Sequence, residues 1–173
     1  MNSKLEIKNT DIDGNISEES PNIFATESNI RMESNMFTNH SCKLACYLRI
    51  ETRSIFEDIN SIFRNAKAKE WDGVAIISNE STANFKNSKF INNTAPKTAN
   101  LNVREDSTVN MTNVEFNESY SLTGSACIKS EQSRINIFES SFTLFQSTAI
   151  LMQNSDSLKM LLIEDSKFEH GGS

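Results

Sequence analysis

One large apolar residue returns at an almost fixed interval along this chain. With Ile12, Phe37, Phe63, Phe90, Phe116, Phe142 and Phe168 as anchors, the successive separations are 25, 26, 27, 26, 26 and 26 residues. A period of this length means that each repeat is one supersecondary unit, unable to bury its apolar face alone and obliged to stack on its neighbours.

The neighbours of the anchor travel with it. Three residues upstream stand Asn9, Ser34, Asn60, Asn87, Asn113, Glu139 and Asp165, a polar column suited to a turn ladder. Five residues upstream lie Ile7, Met32, Asp58, Phe85, Met111, Ile137 and Ile163; seven upstream lie Leu5, Ile30, Phe56, Ala83, Val109, Ile135 and Leu161. Between these mostly apolar columns run Glu6, Arg31, Glu57, Asn84, Asn110, Asn136 and Leu162, the in-out alternation of a strand with one buried face. Ser28, Ser54, Ser81, Ser107 and Ser133 repeat nine residues before the anchor and read as a second turn. Beyond it a further strand is expected, with Leu48, Ala75, Leu101 and Cys127 in one column fifteen before the anchor. The segment after each anchor is the least regular and reads as surface loop.

Short strands joined by turns too brief for a crossover helix leave stacking as the way to bury the apolar columns. Stacked at the ~4.8 Å strand spacing, equal columns lie on one another, Phe on Phe and Asn on Asn. The expected fold is therefore all-β: a right-handed parallel β-helix of about seven coils of roughly 26 residues, one domain over 1–173. Helical repeats would space apolar residues by three and four rather than two. Leucine-rich repeats need a Leu framework the chain lacks, and an antiparallel sandwich does not require consecutive segments to share polar columns. Neither terminal repeat carries a recognisable cap, so the chain is expected to be a piece of a longer repeat protein, with end-to-end association through open coils.

A formal net charge of −6 argues against nucleic acid or an anionic membrane as partner. Lys67 and Lys69 are offset by Glu70 and Asp72 and read as a solvated loop. No apolar run approaches the ~20 residues of a transmembrane helix, and the first residues lack the apolar core of a signal peptide. Taken as a complete chain, this start implies the cytoplasm. Cys42, Cys46 and Cys127 match no metal-ligand spacing and are expected to be buried or idle thiols, Cys127 as a small core residue. No metal or cofactor is expected.

The motif of an anchor Phe with nearby Asn, followed by a small-residue strand start, resembles the repeats of the polymorphic outer membrane protein family and, more broadly, the pectin lyase-like right-handed β-helix superfamily. Phe90 to Asn93 reads "FINN", while Gly124 to Ile128 ("GSACI"), the "DGVAI" segment and the final Gly171 to Ser173 approximate the second half. The resemblance implies a secreted or cell-surface passenger used in adhesion or structural display.

No constellation names a reaction. Glycoside hydrolysis needs two carboxylates at a set separation, but the candidates Glu57 with Asp58, Glu105 with Asp106, and Glu164 with Asp165 are sequence neighbours, which point to opposite faces of a strand. No single coil gathers Arg, Lys and several Asp. His40 and His170 fall in the loop column about five coils apart, roughly 24 Å by ladder spacing, and form no joint site. Trp71, in "KEWDG", is the one aromatic expected in a loop where its ring is free to stack on a sugar. Six sequons, at Asn15, Asn39, Asn79, Asn92, Asn110 and Asn117, are no more than an Asn-, Ser- and Thr-rich chain yields at random. The reading is a non-catalytic structural or adhesive module that contacts glycan or protein along a sheet face, with Trp71 as candidate ligand contact and no catalytic residue. The alternative is a fragment of a carbohydrate-active β-helix enzyme, a polysaccharide lyase or glycoside hydrolase, favoured by a cleft lined with carboxylates and an Arg.

Overall fold

The computed structural model describes residues 3–17, 21–153 and 160–170, all in strands, turns and loops. Every strand pairing in it is parallel, and the chain winds into a right-handed β-helix of about six turns of ~26 residues. The seven sequence anchors bound those six turns.

Three faces run the length of the helix. The first holds seven strands in coil order: Ser3–Lys8, Ser28–Glu33, Ile55–Ile59, Thr82–Lys86, Thr108–Thr112, Arg134–Phe138 and Leu161–Glu164. Its register is the one the columns require, with Leu5 opposite Ile30, Ile30 opposite Phe56 and Ala83 opposite Val109. The second face carries the anchors, Phe37 opposite Phe63, Phe63 opposite Phe90, and Phe116 opposite Phe142. The third is built by Ile23–Thr26, Leu48–Glu51, Ala75–Ile77, Leu101–Arg104 and the ends of the long strands Tyr120–Glu131 and Ser141–Gln153.

Stacking the anchors makes one continuous aromatic column inside the tube. Phe90 and Phe116 lie 4.8 Å apart by ring centroid and 10° from parallel, as do Phe116 and Phe142. Phe37, Phe63, Phe90, Phe116 and Phe142 are fully buried. Burying a Phe side chain stabilises by about 1.5–3 kcal/mol, so this column is a major part of the core.

The corners between faces demand left-handed backbone, which explains the polar columns. Every residue three before an anchor, from Asn9 to Asp165, has φ between 49° and 61°. Asn tolerates that region better than most residues. These corners also pass hydrogen bonds between coils: Asn60 N–H donates to Lys86 O at 2.9 Å and Asn87 N–H to Thr112 O at 3.0 Å. Outside, Asn113 Nδ2 donates to Asn87 Oδ1, and Asn87 Nδ2 to Asn60 Oδ1. A second ladder links Asn92, Asn65 and Asn39, and a third crosses the first face through Asn136, Asn110 and Asn84. The serine column is a ladder too, because Ser81 Oγ accepts from Ser54 N–H and Ser107 Oγ from Ser81 N–H.

The structure corrects the sequence reading at three places. Cys42 and Cys46 are not thiols but a disulfide closing a tight loop. Leu101 pairs with Ile128 rather than Cys127. The corner after Leu101–Arg104 uses two left-handed residues, Glu105 and Asp106, whereas the next coil uses Gln132 alone, so counting back from the anchor slips by one. Cys127 is nonetheless buried in the core, and burial pushes its thiol pKa up. His40 was assigned to a surface loop but is buried, its ring edge-on to Tyr47 at 5.7 Å, and desolvation holds its pKa below the usual value. Its column points inward, as the buried Ala66, Asn93 and Ser119 also show. Gly171 to Ser173 and the side chain of His170 lie outside the described residues.

Candidate functional site

The third face departs from the regularity of the other two. Between Lys67–Ala68 and Ala75–Ile77 a connecting segment leads into this face, carrying Trp71 and Asp72. Asp72 bridges in parallel to Thr98, and Thr98 to Ser125, so the connecting segments of three coils lie side by side. Gly73 is required there: a Cβ on it would meet Ala99 O at 2.0 Å, and one on Gly124 would meet Lys97 O at 2.1 Å. The glycines of "DGVAI" and "GSACI" thus permit close backbone approach beside the site.

On the other side the disulfide loop braces the same segment. Lys69 N–H donates to Cys42 O at 2.8 Å, Ala45 N–H to Asp72 O at 2.9 Å, and Cys46 N–H to Gly73 O at 2.6 Å. Leu44, inside that loop, becomes a wall of the pocket.

The pocket has a volume of about 360 Å³ and is lined by Leu44, Trp71, Asp72, Lys97, Asn102, Arg104, Lys129 and Glu131. Asn102 and Arg104 project from Leu101–Arg104, and the next strand sets Lys129 opposite Asn102 and Glu131 opposite Arg104. Four successive coils therefore contribute. Asp72 and Asn102 are almost wholly buried, at 2% and 6% exposure. Asn102 Nδ2 donates to Asp72 Oδ2 at 2.8 Å, which fixes the orientation of the amide and turns its carbonyl oxygen elsewhere.

Burial raises the Asp72 pKa, opposed by the hydrogen bond from Asn102 and by the charges of Lys129 and Arg104. Lys129 is ion-paired with Glu131, and Lys97 sets its ammonium 3.1 Å from the Trp71 ring centroid, a cation–π contact. Four buried atoms at or beside this pocket make no hydrogen bond: Asp72 Oδ1, Thr98 Oγ1, Asn102 Oδ1 and Arg104 Nε. The nearest carboxylate to Arg104 Nε, that of Glu105, is 3.9 Å away, too long for one. Unpaired buried polar groups are uncommon and costly, about 1–3 kcal/mol each. Their clustering beside a cavity makes this the candidate site of the molecule.

Of the sequence candidates, Trp71 is exposed and borders this pocket, with one ring face covered by Lys97. The carboxylate pairs stay apart: Glu57 faces outward to Arg31 at 3.2 Å, while Asp58 is inside the tube with Ser88 Oγ donating to it at 2.5 Å. Glu105, Asp106 and Asp165 are corner residues. Reading single coils missed Asp72, Asn102, Arg104, Lys129 and Glu131, because the acidic and basic groups meet only across coils. The available signal was their spacing, since Asn102 and Lys129, like Arg104 and Glu131, are one period apart. Tyr120, also partly exposed, borders a second groove of about 380 Å³ with Asn92, Glu118, Leu144 and Gln146. Among the described residues no group of three or more His, Cys, Asp or Glu could hold a metal ion, and no helix is long and apolar enough to cross a membrane.

Fold and site together define a parallel β-helix with a polar pocket on one sheet face. No family model, curated protein or solved structure matches the chain.

Proposed function

We propose that this chain is a non-catalytic structural or adhesive β-helix module that holds a glycan on its third face. The observation that carries the reading is a pocket lined by polar and charged side chains from four coils and bordered by an exposed Trp. A rigid solenoid supports adhesion because strands supply the floor of such a pocket through Asn102, Arg104, Lys129 and Glu131. The Cys42–Cys46 disulfide supports an oxidising, extracytoplasmic setting, in keeping with the resemblance to surface-displayed outer membrane repeats.

The test is retention on immobilised glycans by the intact chain, with the same glycans analysed for cleavage. Retention without product release is expected. Absence of retention by every glycan removes the reading. A second reading, a carbohydrate-active enzyme, is favoured by one observation: Asp72 and Glu131 line the same pocket as Arg104. Release of shorter saccharides by the wild type, abolished in Asp72→Asn, would establish it instead.

A further inference from the structure

We infer that the third-face pocket takes its glycan through a singly charged oxyanion on the sugar, a sulfate ester or a carboxylate, held by the outer end of Arg104 with Lys97 as the second cation. This rests on the glycan-binding reading above and adds the charge of the ligand and the two residues that select it.

What a ligand can reach decides its chemistry. Asp72 and Asn102 are almost wholly buried and bonded to each other, so a ligand gains little by direct contact with either. Lys129 and Glu131 are engaged with one another in an ion pair. Arg104 and Lys97 remain. The Arg104 side chain is 34% exposed: its Nε is enclosed, but its two terminal nitrogens reach solvent and make no hydrogen bond to any described residue. The one carboxylate near it, that of Glu105, stands 3.9 Å from Nε. The Lys97 ammonium lies against the Trp71 ring, and no ion pair joins it to a described residue. The end of a guanidinium presents two N–H groups side by side, a fork that fits two oxygens of one carboxylate or sulfate.

The charge of the pocket sets the charge of the ligand. Three cations, Lys97, Arg104 and Lys129, stand against two carboxylates, Asp72 and Glu131, leaving a surplus of one positive charge in a chain whose formal charge is −6. A cationic ligand is repelled by that surplus, and a neutral sugar leaves it uncompensated. A phosphate monoester, at roughly −1.5 to −2, exceeds it. A sulfate ester or a carboxylate matches it. Both cations stand on fixed backbone: Arg104 lies in the strand opposite Glu131, while Lys97 N–H donates to Trp71 O at 3.1 Å and Lys97 O accepts from Ser125 N–H at 3.0 Å. Trp71, 47% exposed, offers ring surface to the sugar that bears the charge.

The experiment sets the intact, oxidised chain against three sets of immobilised probes: sulfated oligosaccharides, oligogalacturonate and neutral hexopyranose oligosaccharides. At least one anionic set is expected to bind roughly tenfold or more tightly than the neutral set, and the set retained tells sulfate from carboxylate. Arg104→Ala should weaken that binding roughly tenfold. Arg104→Gln, which keeps the stem and removes the charge, should do the same and serves if Arg104→Ala fails to fold. Lys97→Ala should weaken it several-fold. Asp72→Asn, which keeps the side chain's shape and deletes a negative charge from the pocket, should strengthen it. Arg134→Ala removes an exposed cation from the first face and should leave affinity unchanged. Anionic binding that Arg134→Ala weakens as much as Arg104→Ala does would be diffuse attraction, and would overturn the inference. So would anionic binding that persists in both Arg104→Ala and Lys97→Ala. Preference for the neutral probes would overturn the inference while sparing the glycan-binding reading. No binding of any probe by the wild type would overturn both.

Discussion

The anchor column and the third-face pocket are built from the same repeat and end in opposite states. Along the anchors each coil gives its neighbour the partner it needs: ring stacks on ring, and corner Asn bonds to corner Asn. On the third face the repeat instead brings unlike residues together, with Asn102 set opposite Lys129 and Arg104 opposite Glu131. Polar atoms there are buried without partners. Identical residues in one column satisfy one another, whereas a column of differing residues leaves hydrogen-bonding capacity over. In a solenoid that leftover capacity is where a ligand can bind.

The largest effect should come from breaking the anchor column. Phe90→Ala empties the space between Phe63 and Phe116 and is expected to cost about 3–5 kcal/mol in urea or thermal unfolding. A loss below ~1 kcal/mol would mean that the stack is not the structural side of the comparison.

Next comes the one carboxylate inside the regular region. Asp58 stands in an otherwise apolar column, and burial lifts its pKa from 3.8 to about 6 despite hydrogen bonds from Ser61 and Ser88. The folded chain thus favours the neutral acid. This stabilising contribution is complete below about pH 4 and is lost as pH rises through 6. At pH 7, Asp58→Asn should stabilise by roughly 3 kcal/mol, and the mutant's stability should vary less between pH 4 and pH 8 than the wild type's. A pH profile unchanged by the mutation would contradict this assignment.

Reducing the Cys42–Cys46 disulfide acts on the other side of the comparison. On loop-closure grounds a link across so few residues contributes about 2 kcal/mol. Its loss should appear as faster hydrogen exchange around Lys69 to Gly73 and weaker glycan retention, with the anchor strands still protected. Uniformly faster exchange throughout would show that the loop braces the whole helix instead.

The smallest effect expected is at the exposed corner ladder. Asn87→Ala removes one member of the Asn60–Asn87–Asn113 chain and places Ala at φ 52°. The cost should be about 1 kcal/mol, read from the shift in urea midpoint. A neutral substitution would leave the backbone bonds alone to hold that corner.

Much of this was legible in the chain because a parallel solenoid maps sequence period directly onto spatial contact. The first-face register follows from column alignment, as with Ile30 opposite Phe56, and the Asn and Ser ladders follow from columns already polar in the sequence. What escaped did so for local reasons. Cys42 and Cys46 bond across a loop within one coil, where the period carries no information. Ile128 displaced Cys127 from its column because one corner lost a left-handed residue. His40 turned inward because the segment after the anchor is core-facing at that position.

By itself, then, the sequence determined the parallel β-helix, its anchor column and its polar corners, because hydrophobic burial and left-handed turns recur with a fixed spacing and each coil solves the same problem. The pocket was decided by tertiary structure. Asp72, Asn102, Arg104 and Glu131 meet across three coils, Asp72 on a connecting segment held by the close approach at Gly73 and by the disulfide loop. Which side chain meets which, and which atoms are left without a partner, depends on how the irregular connecting segments pack beside the strands, and the period does not encode that path.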